Sequence, residues 1–156
     1  MDATEIHDLP FIDAHTSVVA ARPDAVCQAI ADTMDHQFAA RPTTVLTRLL
    51  GCADRSPIPG FHVVTAVPGK ELALAGSHRF STYALVFHLD ETGPGSTRVR
   101  AETRARFPGP AGAVYRRLVI GTGGHAVLVR RMLTSVRKRA PQGRGELRDK
   151  PPPARR

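Results

Sequence analysis

The stretch LVIGTGGHAVLV, Leu118–Val129, decides the fold. Three glycines and a histidine stand inside a segment that otherwise reads as helix, and two incompatible readings follow. A glycine-rich phosphate loop would place the chain among parallel α/β nucleotide binders, whereas a break in a helix would place it elsewhere. The phosphate reading fails on its own terms. A Walker loop needs GxxxxGK[ST], and the lysine is missing; a dinucleotide fingerprint needs GxGxxG directly after a strand. Here the glycines follow YRRLVI, Tyr115–Ile120, whose paired arginines and apolar spacing fit a helix. The alternation of strands and helices on which nucleotide sites sit is also absent.

As helix, the segment extends from about Ala111 to Arg139, roughly 43 Å at 1.5 Å per residue. At roughly 100° per residue, Val114, Leu118, Thr122, His125, Val129, Met132 and Val136 share one face. Arg116/Arg117, Arg130/Arg131 and Arg137/Lys138 fall opposite, and Gly123 and Gly124 occupy the same heptad slots as those pairs. Gly121 lies on the flank of the apolar stripe, beside Thr122 and His125. The cluster is thus a bare notch on the wet side and a small polar window on the inner one. Glycine costs a helix up to ~1 kcal/mol per residue relative to alanine, so three in one turn imply a bend or a close approach.

Upstream, the period changes. FIDAHTSVVA, residues 11–20, alternates as a strand with Ile12, Ala14, Thr16 and Val18 on one face, leaving Asp13 and His15 on the wet one. Pro23 then stands at a first helical position with Asp24 in the first turn, and Ala25, Val26, Ala29 and Ile30 give a short helix with an apolar stripe. A second short helix is expected over Thr43–Leu50, ended by Gly51, and the loop RSPIPG closes the helical section. From Gly60 four strands follow, FHVVTAV, KELALAG, RFSTYALVFHLDE and STRVRAETRARF, divided by the turn signals PG, GSH and TGPGS. The last puts Thr97, Val99, Ala101, Thr103, Ala105 and Phe107 on an inner face and Arg98, Arg100, Glu102, Arg104 and Arg106 on a wet one. The strand Phe80–Leu89 is apolar on both faces.

Composition narrows the function classes. The chain has 156 residues, enough for one domain. Its formal charge of +8 is unevenly spread: residues 1–110 carry ten basic and twelve acidic residues, 111–139 seven basic and no acidic, and 140–156 five basic and two acidic. The basicity belongs to one helix and a tail, and no aromatic residues interleave its arginines for base stacking, so a nucleic-acid fold is disfavoured. No apolar run reaches the ~20 residues of a membrane span. MDATEIHDLP lacks the basic and apolar regions of a secretory signal, and Cys27 and Cys52 form no CxxC, so a cytoplasmic protein with reduced thiols is expected. The seven histidines show neither HxH nor HExxH spacing, so no metal or cofactor is expected. Ser77, Ser81 and Ser135 lie outside any GxSxG, which removes a hydrolase. Residues 1–10 read as an N-terminal arm, 11–139 as the domain, and 140–156, rich in proline, glycine and charge, as a disordered tail.

The segment VVAARPDAVCQAIAD, Val18–Asp32, resembles the opening signature of the START-like or SRPBCC superfamily. The matching residues are Val18, Val19, Ala20, Pro23, Val26, Ala29, Ile30 and Asp32, with Cys27 where many members carry tryptophan or phenylalanine. The order strand, two short helices, antiparallel sheet and long C-terminal helix is that of the helix-grip fold. The resemblance therefore implies an α+β protein in which a curved antiparallel sheet of five to seven strands wraps a long C-terminal helix. It also implies a cavity between them for an apolar or aromatic small molecule of lipid, polyketide or quinone type. It carries no catalytic set.

Within that frame, Gly121, Leu118, Thr122, His125 and Val129 of the helix and Tyr83, Leu85, Phe87 and Thr103 of the sheet are the expected lining. A histidine and a tyrosine facing one cavity are capable of acid–base work, so His125 and Tyr83 are the candidate catalytic pair of a cyclase- or aromatase-type enzyme, the alternative to simple binding. On the basic face, Ile120 and Val127 lie among Arg116, Arg117, Arg130 and Arg131. Exposed aliphatics ringed by arginines suit a homodimer contact, an anionic surface or an acidic partner, the third class of function.

Overall fold

The computed structural model describes residues 2–39 and 60–140, apart from the side chains of 35–39. The helix expected over Thr43–Leu50, the RSPIPG loop and the tail after Ala140 lie outside the described residues. Helix α1 (Ala3–His7) is followed by strand β1 (Phe11–Val19) and helix α2 (Pro23–Ala39). Strands β2 (His62–Val67), β3 (Glu71–His78), β4 (Ser81–Gly93) and β5 (Ser96–Arg106) follow, then helices α3 (Gly109–Val119) and α4 (Gly124–Arg139). The strands form one antiparallel five-stranded sheet in the order β1-β5-β4-β3-β2. The chain is therefore α+β, an arrangement compatible with a helix grip.

Cross-strand partners in an antiparallel pair share a face, and the register sets which residues point at the helices. Leu74 pairs with Leu85, Leu85 with Thr103 and Thr103 with Asp13; Leu72, Phe87, Ala101 and His15 make the next row. On this inner face α2 lays the stripe Val26, Ala29, Ile30, Thr33 and Met34, and α4 lays Val129, Met132, Leu133 and Val136. Both stripes follow the i, i+3, i+4, i+7 spacing of a helix with one buried side. α2 is longer than the short helix expected, running to Ala39.

The register corrects the parity of β1. Val19 opposes Thr97 and is fully buried, so Asp13, His15 and Ser17 are on the inner face, while Thr16 and Val18 are exposed. The alternation of Ile12, Ala14, Thr16 and Val18 pointed the other way because the strand's inner face carries its polar residues.

The outer face of the sheet is not simply wet. α1 begins with a capping box in which Asp2 accepts from the Glu5 amide and Glu5 accepts from the Asp2 amide. Its Ile6, with Leu9 beyond it, packs on Ala73, Ala75, Ala84 and Val86. This explains why β4 is apolar on both sides. Arg104 clasps the segment from β5, donating to the carbonyls of His7 at 2.9 Å and Leu9 at 3.1 Å while its Nε donates to Glu102 at 2.6 Å. Arg100 holds the other oxygen of Glu102 at 3.0 Å, so this largely buried carboxylate lies between two guanidinium groups. The N-terminal residues are a structural layer as well as an arm.

The single helix expected over 111–139 is two. α3 ends at Val119, where Ile120 caps it, and α4 starts after Gly123, whose φ of +73° only glycine adopts without strain. Thr122 Oγ1 donates to the Leu118 carbonyl at 2.8 Å across the break. Because the helix stops, the phase that grouped Val114 and Leu118 with His125 is lost. Val114 is 61% and Leu118 64% exposed, and Tyr115, Val119 and Ile120 turn inward instead.

Candidate functional site

Between the inner face of the sheet and the α3–α4 elbow lies a pocket of about 200 Å³. Its floor is Tyr83 and Leu85 of β4 with Thr103 and Ala105 of β5, and Phe107 follows at the strand end. Its roof is Tyr115 and Val119 of α3, Ile120 at the elbow, and His125, Leu128, Val129 and Met132 of α4. Met34 closes it from α2, and Phe61, His78 and Ser81 complete the far end. The wall is overwhelmingly apolar, as small-molecule sites are, with a few polar atoms that could orient a guest.

The far end is aromatic. Tyr83 meets Phe61 edge-on with ring centroids 5.0 Å apart, His78 meets Tyr115 at 4.9 Å, and Phe80 stacks on Tyr115 at 5.9 Å. Tyr83 can lie there because its cross-strand partner is Gly76. A Cβ on Gly76 would collide with the Gly60 carbonyl oxygen and stand 2.8 Å from the Tyr83 ring. The Tyr83 hydroxyl donates to that same Gly60 carbonyl. His78 accepts the Phe80 amide on Nδ1 at 3.1 Å, so its other nitrogen, 3.2 Å from Ser81 Oγ, is the donor of the neutral ring. Burial lowers the His78 pKa, which keeps that ring neutral.

The near end is a polar cluster. His125 Nε2 lies 3.0 Å from Thr103 Oγ1 and 3.7 Å from Asp13 Oδ1, and His15 Nε2 lies 3.3 Å from Asp13 Oδ2. Asp13 Oδ1 is buried with no hydrogen-bond partner among the described residues. Burial lowers the His125 pKa, the Asp13 carboxylate pulls it back up, and His15 pushes it down again, with burial the largest effect. The two imidazoles flank opposite oxygens of one carboxylate instead of converging on a point. Among the described residues no group of three or more histidine, cysteine or acidic side chains is placed to hold a metal ion.

The structure therefore brings five of the expected lining residues, His125, Val129, Tyr83, Leu85 and Thr103, to one pocket. Phe87 is excluded: it is fully buried, one row further into the core against Leu72 and Ala101. Gly121 and Thr122 are exposed at the break, and Leu118 points outward from α3, all three displaced by the interruption of the helix. The pocket also has Tyr115, Phe107, Val119 and Met34, which stand outside the expected lining, as does Asp13 of the adjoining polar cluster. Tyr115 and Val119 follow from ending the helix at Gly121, Phe107 continues the inner face of β5 beyond Ala105, and Asp13 follows from pairing Val19 with the buried face of β5. On the basic side, Arg116 and Arg117 are on α3 and Arg130 and Arg131 on α4, all exposed. Val127 is exposed too, but Ile120 is turned into the pocket wall and leaves that surface. Among the described residues no helix is long and apolar enough to cross a membrane.

The chain matches no protein-family model and no curated protein. Among solved structures it is similar to a conserved protein from Geobacillus kaustophilus at 13% identity and a TM-score of 0.48, covering 80% of this chain and 91% of that one. It is similar to the di-domain ARO/CYC protein StfQ from the steffimycin biosynthetic pathway at 12% identity and a TM-score of 0.47, over 88% of this chain and 52% of that one. A truncated norcoclaurine synthase from Thalictrum flavum is 16% identical with a TM-score of 0.44, over 83% and 94%. At these scores the reading of the pocket rests on its own side chains.

Proposed function

We propose that the chain is a START-like binding protein that holds a small apolar or aromatic molecule between its sheet and the α3–α4 elbow. The observation that carries this reading is the pocket itself, about 200 Å³ with walls of aliphatic and aromatic side chains. Volume narrows the guest. An apolar cavity of ~150 Å³ is enough to bind benzene, so this one fits a single substituted ring within its walls, and a larger molecule extends outside them. Aromatic edges from Tyr115, Phe107 and Phe61 favour a flat π-system over a flexible acyl chain. The element order from β1 to α4 and the Val18–Asp32 segment support the START-like assignment.

Binding is favoured over acid–base chemistry by a Tyr83–His125 pair, because the Tyr83 proton is already committed to the Gly60 carbonyl. The test is a titration of the full chain, labelled at its methionine methyl groups, with toluene. Met34 and Met132 line the pocket, and their resonances are expected to shift together and saturate. Methyl resonances that stay fixed up to the solubility of toluene would contradict the proposal.

A further inference from the structure

Asp13 is on the strand opposite Thr103, close to His125 Nε2, and it is an odd residue to find there. Its Oδ2 has His15 as neighbour at 3.3 Å, but its Oδ1 is shut off from solvent without a hydrogen-bond partner among the described residues. A buried carboxylate oxygen in this condition costs free energy unless a donor faces it. The nearest candidate is His125 Nε2 at 3.7 Å, already 3.0 Å from Thr103 Oγ1. A neutral imidazole carries one proton, on either nitrogen, and the groups around the ring decide which. A carboxylate beside Nε2 favours the proton there, and Thr103 Oγ1 can accept it. Nδ1 is then the ring's lone pair, and it makes no hydrogen bond with the described residues. His125 itself belongs to the pocket wall.

We infer that Asp13 is a positioning residue that holds His125 with its proton on Nε2, so that Nδ1 offers the pocket a hydrogen-bond acceptor. The pocket therefore selects ring compounds carrying a hydroxyl donor, phenols and enols, over their purely apolar counterparts. This rests on the binding reading above and deepens it by naming the chemistry of the guest. A phenol places its ring among Tyr115, Leu85 and Met132 and donates its O–H to Nδ1, while an ether or a methyl in the same position leaves that nitrogen without a partner. No covalent step is involved; the ligand leaves as it entered.

The experiment compares phenol with toluene, two molecules of nearly the same size, on the full chain and on two variants. A net neutral hydrogen bond corresponds to about a threefold to tenfold gain in affinity, so phenol is expected to bind tighter than toluene by that factor. His125→Leu should abolish the preference, with phenol binding no tighter than toluene. Asp13→Asn should reduce it to within about twofold, and the ¹⁵N spectrum of the imidazole should show why. In the unaltered protein Nε2 should give the protonated-type signal and Nδ1 the unprotonated one; in Asp13→Asn the population should move toward Nδ1–H. A merely structural role for Asp13 would leave the tautomer signal of the folded variant unchanged, and that result would overturn the inference. Equal binding of phenol and toluene by the unaltered protein would overturn it too, while leaving the binding reading intact. If neither compound binds, both fall together.

Discussion

At His125 burial, the largest effect, disfavours the cation, Asp13 favours it and His15 disfavours it again. His78 is subject to burial alone. Both folded-state pKa values lie below the ordinary value of about 6.5, so the folded protein binds fewer protons than the unfolded chain in that range. Their contribution is complete above about pH 6.5 and is lost as the pH falls from there through the lowered folded values. Urea midpoints measured from about pH 7.5 to about pH 5 should fall, and His125→Leu and His78→Gln should each flatten the decline. A second residue-scale expectation concerns Gly76. The Cβ of Gly76→Ala would meet the Gly60 carbonyl and the Tyr83 ring, and overpacking of this kind costs about 1–3 kcal/mol, measurable by urea unfolding. At this scale the sequence was only half readable. Tyr83, Thr103 and His125 are legible as inward-facing because each breaks an apolar pattern on the face that lines the pocket. Asp13 and His15 were placed on the wet face because alternation assumes that the inner side of a strand is the apolar one. β1 reverses this locally, its inner side facing another polar group, His125, instead of a hydrocarbon wall.

Among the elements, the α3–α4 break separates the two readings of GTGGH most sharply. Its glycines do different work, and their alanine variants should differ in sign. Gly123→Ala forces a Cβ into the left-handed region at φ +73° and should lose roughly 1–2 kcal/mol. Gly124→Ala adds a Cβ in ordinary contact with Thr122 at the start of α4 and should gain up to about 1 kcal/mol. Thermal or urea unfolding of the pair checks this, and the same sign for both would contradict the break. α1 offers a comparable test. Ile6 is buried under the outer face of the sheet, so Ile6→Ala should cost about 2–5 kcal/mol, whereas a loose arm would lose almost nothing. The strands β2 to β5 are legible because turn signals divide them, and in β5 a clean period-two alternation agrees with those signals. The helix break is not legible, since the wheel keeps one phase through any residue and nothing in its arithmetic registers a positive φ at Gly123. The covering of the outer face by Ile6 and Leu9 left one trace in the sequence, the double-sided apolar strand β4, whose partner lay more than seventy residues earlier in the chain.

For the whole molecule, the sheet divides two kinds of packing. On its outer face a short helix and an arginine clasp cover Ala73, Ala75, Ala84 and Val86; on its inner face α2 and α4 pack beside a gap that the described residues leave beneath the elbow. Interiors pack at near-crystalline density, and this gap, bounded by described residues beside a well-filled core, is where the proposed guest would lie. Ala105 bears on it directly, since it lies on the pocket floor opposite Tyr83 and is itself almost wholly buried. A phenylalanine there would occupy the space assigned to the guest. The most direct measurement is therefore calorimetric titration of toluene into the full chain and into the Ala105→Phe variant, with the fold of each checked by circular dichroism. Saturable one-to-one binding is expected for the unaltered protein and none for the filled variant. Equal heats for both, or no binding to either, would contradict the proposed site.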